Sequence, residues 1–154
     1  MASSVVTRHT GYTGLGTRVI LTLVGAAGMI IGAFLDWTSS VLGTHLSNRA
    51  FWGTTFGRSE NFPMTAGFVA IVLGLAAVVG LAFSEGWLTR LAGALGIVAF
   101  ALFAIQIYRT QGSETIGAGA WIALAGAFVV LMAGFFGVRE TVVDTQPREK
   151  VLES

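Results

Sequence analysis

Apolar positions in this chain do not alternate with polar ones; they run on. Four stretches contain no Asp, Glu, Lys or Arg: Val19 to Leu35, Asn61 to Ser84, Leu91 to Tyr108 and Thr115 to Val138. At 1.5 Å per helical residue each covers, or nearly covers, a hydrocarbon core of about 30 Å, and Trp87 and Leu88 lengthen the third at its start. A chain in lipid must satisfy its own backbone hydrogen bonds, and the alternation of a membrane barrel is missing, so each stretch is expected to be a helix. The expected fold is all-α and polytopic: an antiparallel four-helix transmembrane bundle with helices at about 19–36, 62–84, 88–108 and 115–138. Residues 1–18 and 139–154 are then tails. The first stretch is too long for the apolar region of a secretory signal, and no small-x-small cleavage site follows it before Asp36 and Trp37.

Basic residues set the expected orientation. Arg8, Arg18, Arg90, Arg139, Arg148 and Lys150 fall on one side, against Arg49, Arg58 and Arg109 on the other. Both termini are therefore expected in the cytoplasm. The outward connections become Asp36 to Phe62 and Arg109 to Glu114, and the first of these, at 27 residues, is far longer than the rest. A loop of that length is either functional or disordered. This one holds Trp37, Phe51, Trp52, Phe56 and Phe62, which argues for a compact cap over the outer face, spanning 37–61 between the first two helices.

Composition agrees and narrows the chemistry. Hydrophobic residues make up 54% and charged ones 11%, against about 25% charged in an average soluble domain, so a water-soluble globule is excluded. Net charge is +1, too balanced for nucleic-acid binding. The chain has no cysteine, hence no disulfide and no thiolate site. Eight of the nine basic residues are arginine, a bias that fits a high-GC bacterial genome.

Within the four stretches there is no ionisable side chain; Thr22, Thr65 and Gln106 are the main polar ones, the threonines able to bond back to their own helices and Gln106 near enough to the outer end to reach water or the cap. A proton relay is therefore disfavoured. Candidates for catalysis are confined to His45, Asp36, Glu60, Arg49 and Arg58 in the loop, with Glu114 nearby. None stands in a metal-ligand or nucleophile motif. The plainer expectation is that Asp36 or Glu60 pairs with Arg49 or Arg58 to hold the cap shut. No catalytic residue, metal ligand or cofactor is assigned. The segment GYTGLG at Gly11 to Gly16 lacks the Lys-Ser/Thr of a phosphate loop and reads as a flexible, non-helical lead-in. Together with Arg8, His9 and Tyr12 it offers a surface for the membrane or a partner. The C-terminal tail reads as extended, ordered by binding.

Two surfaces remain. Small residues let helices approach closely in lipid. Gly28 and Gly32 form a GxxxG pair, and Gly119, Ala123 and Ala127 repeat every four residues. These are the expected helix-packing positions, either within the bundle or toward a partner helix. Trp37, Trp87, Tyr108 and Trp121 stand near segment ends and read as interfacial anchors. Phe51, Trp52, Phe56 and Arg58 in the loop are the expected partner contacts, although their aromatic rings also suit the headgroup region.

Through GMIIGAFLDW at Gly28 to Trp37, followed by a loop and three Gly/Ala-rich helices, the chain resembles small, largely uncharacterised actinobacterial four-helix integral membrane proteins over residues 18–138. That resemblance implies a fold and no catalytic residue. The layout is also that of claudin-type tetraspan proteins, but the loop lacks their GLW motif and cysteine pair. The function expected from these features is that of a non-enzymatic accessory or scaffold subunit of a larger bacterial inner-membrane complex, with lipids and other integral membrane subunits as partners. The alternative is a homo-oligomeric channel or small-solute permeation protein.

Overall fold

The computed structural model describes residues 13–83, 86–110 and 115–136. They form four helices: α1 (Thr13–Ala33), α2 (Ala66–Val79), α3 (Trp87–Arg109) and α4 (Ala118–Phe135). Three of them, α1, α3 and α4, are long and apolar enough to cross a membrane; the fourth forms a shorter apolar segment, Ala66–Ala82, when the 3₁₀ turn Gly80–Ala82 is included.

The helix bounds differ from the charge-free runs for local reasons. The first helix begins before the apolar run, at Thr13, so the Thr13–Gly16 part of the glycine-rich lead-in is helical and not an extended linker; Gly11 and Tyr12 lie outside the described residues. α2 begins four residues later than the expected 62. Pro63 cannot donate a backbone hydrogen bond, and Phe62–Met64 forms a separate 3₁₀ turn. Thr65 then starts α2 as its N-cap: its hydroxyl accepts the Phe68 N–H at 3.2 Å and donates to the Phe62 carbonyl at 2.7 Å. α4 starts at Ala118, because the Gly117 and Gly119 N–H groups donate to the Trp37 and Asp36 carbonyls, both at 2.8 Å. The chain after α1 thus caps the first turn of α4.

α1 packs against α2 and α4, and α3 packs against the same two, while α2 and α4 scarcely meet. Along α1 the glycines Gly25, Gly28 and Gly32 face Val130 with Gly126, then Gly126, then Ala123 with Gly119, so residue numbers rise on one helix as they fall on the other. A Cβ on Gly126 would lie 2.5 Å from the Gly25 carbonyl oxygen, and one on Gly32 would lie 2.7 Å from that of Gly119. Gly28, Gly32, Gly119 and Ala123 therefore lie in one seam within the chain. Ala127 is buried, with its Cβ on the α3 side, where a Cβ on Gly96 would meet it at 2.7 Å. The core around Met29, Ala77, Ala92, Ala127 and Val130 consists of small residues apart from Met29 and Val130, whereas the cluster toward the cap holds Trp37, Leu46, Phe51 and Phe103.

Two arginines close the end where α1 begins and α4 finishes. Arg18 is only 3% exposed. Its Nη2 donates to the Gly80 carbonyl at 3.1 Å and the Phe83 carbonyl at 2.9 Å, at the C-terminal end of α2. Arg90 Nε donates to the Gly134 carbonyl at 2.6 Å, near the end of α4, and its guanidinium stands 5.0 Å from the Phe135 ring centroid. A helix C-terminus leaves carbonyls unpaired and carries partial negative charge, so a guanidinium is well matched to it. Gly86, at φ +65°, turns the chain into α3 beside the Arg18 guanidinium, which a Cβ there would meet at 3.2 Å. Arg18 was expected in a tail; it is a built part of the bundle.

Candidate functional site

The cap, residues 34–65, is held to the helices by backbone bonds and by rings. Isolated bridges join Asp36 to Leu42, Leu46 to Arg58 and Ser47 to Thr65. The Gly67 N–H donates to Gly43 and the Ala66 N–H to Leu46, both at 2.8 Å, tying the cap to the first turn of α2. The expected ion pairs are not what holds it. Among the described residues neither Asp36 nor Glu60 pairs with Arg49 or Arg58, and Arg58 Nη2 donates instead to the Ser40 carbonyl at 3.4 Å.

Trp37 is the centre of the plug. It is 3% exposed, so it is a core residue and not an interfacial anchor. Its indole Nε1 donates to the Gly32 carbonyl at 2.9 Å, which satisfies the one polar atom buried with the ring. Phe103 lies 5.2 Å away edge-on and Phe51 6.3 Å away, and Phe56 meets Phe103 at 6.0 Å. Phe51 is also 3% exposed and Phe56 packs against the same core, so two of the four expected partner contacts point inward. The loop doubles back over the bundle, and the largest rings fill the gap between helices too small to close it. Trp52, in contrast, is 67% exposed, and Arg58 is exposed as well. Trp87, Tyr108 and Trp121 stand exposed on the helices. Gln106, expected to reach water or the cap, is buried. The Thr22, Thr38 and Thr89 hydroxyls are buried with no hydrogen-bond partner among the described residues.

Beneath the plug lies a cavity of about 20 Å³ lined by apolar side chains, among them Met29, Trp37, Phe51, Ala70, Phe100 and Ala123. It has room for about one water but offers it almost nothing to bond to. Phe51, Val69, Leu73 and Ala99 form its wall on one side, and the same four line a lateral groove of about 260 Å³ between α2 and α3, with Leu95, Val98 and Leu102 below and Trp52 above.

On the cap surface Arg49, Arg58 and Glu60 line one groove of about 350 Å³, and His45 and Glu60 line a second of about 410 Å³ with Phe34 and Phe62. The structure thus joins His45 with Glu60 along one groove, through a backbone bond from the Ser59 N–H to the His45 carbonyl at 2.8 Å. Asp36 does not line either groove. No three metal-ligating side chains come together among the described residues. Glu114, the segment Arg8 to Tyr12 and the tail 139–154 lie outside the described residues. Arg18 and Arg90 were missed as structural residues; the one sequence signal was their position at the margin of a charge-free run. Neither family models, curated proteins nor solved structures give a match to this chain.

Proposed function

We propose that the chain is a polytopic protein of a bacterial inner membrane, its four helices crossing as an antiparallel bundle with the cap outside and both termini in the cytoplasm. It serves there as a non-enzymatic accessory subunit of a larger membrane assembly. The observation that carries this reading is the contrast between a filled interior and an exposed aromatic cap. The cavity beneath the cap is about 20 Å³ and apolar, and Trp37, Phe51 and Phe103 pack around it. That arrangement weighs against a solute path through a single copy, and no three His, Cys, Asp or Glu side chains gather as metal ligands among the described residues. Trp52 and Arg58 remain as the partner contacts, because Phe51 and Phe56 are used inside. Arg8, Arg18, Arg90, Arg139, Arg148 and Lys150, against three arginines on the other side, support the orientation. α2 is about 21 Å long at 1.5 Å per residue, and the turns at either end bring the apolar segment near the thickness of a bilayer core.

The test is purification in mild detergent through a C-terminal tag at native expression level, with mass spectrometry of the intact assembly. A stoichiometric larger complex is expected, and Trp52→Ser with Arg58→Glu should release it. Recovery of the chain alone, as monomer or homo-oligomer, refutes the subunit reading.

A further inference from the structure

The α2–α3 groove and the cap above it differ in chemistry yet adjoin through one turn. Below, the groove is walled by Val69, Leu73, Leu95, Val98 and Leu102 and has about 260 Å³ of room. The lining is almost wholly apolar and the groove is open along its side, which suits a hydrocarbon chain. Its upper lip is the 3₁₀ turn Asn48–Phe51 with Trp52 as C-cap. Side chains three apart on such a turn stack on one face. Arg49 and Trp52 stand in that relation, and both are exposed. Arg49 in turn shares the groove on the cap surface with Arg58 and Glu60, and no ion pair among the described residues neutralises these three.

We propose that this site binds one glycerophospholipid, with an acyl chain in the α2–α3 groove, the phosphate between Arg49 and Arg58, and an ammonium headgroup toward Glu60. Two guanidinium groups and one carboxylate complement a phosphate followed by a primary amine. A planar guanidinium is suited to bidentate contact with phosphate oxygens. Trp52, apolar in body with one polar N–H, covers the junction between chain and headgroup. The lipid completes the seam where α2 and α3 leave space, and makes any partner contact at Trp52 partly lipid-mediated. This inference rests on the membrane placement proposed above but not on the subunit role.

The experiment is native mass spectrometry of the delipidated full-length chain in detergent, titrated with dioleoyl phosphatidylethanolamine or dioleoyl phosphatidylglycerol. One tightly held lipid is expected, with phosphatidylethanolamine preferred. Arg49→Gln with Arg58→Gln should weaken it at least about tenfold. Glu60→Gln should abolish the preference for the amine headgroup. Val98→Phe fills the groove from an exposed position and should remove the bound lipid while leaving the melting temperature of the lipid-free protein unchanged. Equal lipid binding by the wild type, the arginine variant and the Val98 variant overturns the proposal, as does equal affinity for the two headgroups. Photo-crosslinking from position 98 in native membranes that captures a polypeptide and no lipid overturns it too. A chain recovered apart from the membrane fraction would fail the placement itself, whereas a membrane-borne chain that binds no lipid fails this inference alone.

Discussion

The α1–α4 seam and the α2–α3 seam are built from the same Gly, Ala, Leu and Val, yet one is closed at backbone distance and the other carries a lateral groove. On α1–α4, glycines face each other so closely that an added Cβ at Gly25, Gly32 or Gly126 would fall within 2.5–2.8 Å of backbone atoms. On α2–α3, Val69, Leu73, Val98 and Leu102 line a lateral groove, and close approach is confined to Gly80 and Thr89 at the far end. In lipid, where no hydrophobic drive joins helix to helix, association rests on van der Waals contact and interhelical hydrogen bonds. The closed seam therefore consumes its small-residue face inside the chain. The small-xxx-small pattern there marks a contact within the chain and not a surface for partners.

Four substitutions break or sharpen that contrast, each read as thermal or denaturant unfolding of the purified chain in detergent. Trp37→Ala removes the buried ring that packs Phe51 and Phe103 at the cap end and should cost about 3–5 kcal/mol. Gly126→Leu forces a side chain between touching backbones and should cost about 3 kcal/mol. Arg18→Leu leaves the Gly80 and Phe83 carbonyls without their charged donor and should cost about 2 kcal/mol. Leu95→Ala, on the exposed wall of the open seam, should change stability by less than about 0.5 kcal/mol. If Leu95→Ala destabilises as much as Gly126→Leu, the two seams are energetically alike and the contrast fails.

The helices were legible because a run without charge is a strong and local signal. Their ends were less so. The start of α2 depends on Pro63 and the Thr65 cap acting together, and the run Asn61 to Ser84 conceals both. The cap residues were misjudged for a shared reason: Trp37, Phe51 and Trp52 look alike in a loop, and only the path of the chain decides which ring turns inward. Trp37 follows α1 directly and folds back onto Gly32, whereas Trp52 ends a turn whose inward positions are already taken by Ala50 and Phe51. The ion pairs expected across the cap were replaced by backbone bridges, which leave no trace in side-chain identity. The Arg49, Arg58 and Glu60 groove was half visible, since the residue types were noted but their shared face depends on the bridge between Leu46 and Arg58.

The burial of Arg18 also bears on how the chain is inserted. Its two carbonyl partners lie 62 and 65 residues downstream, so they are not yet synthesised when α1 first enters the bilayer. Until then the guanidinium has to stay among headgroups and water, its aliphatic stem lying along the apolar helix. In the proposed orientation such an arginine would hold α1 at the cytoplasmic surface during translation and be withdrawn into the protein once α2 arrives. On that proposal one residue would serve first as a topogenic signal and later as the latch of a finished hairpin. A mutation that spares the fold of the mature protein can still let α1 enter the membrane in the wrong direction.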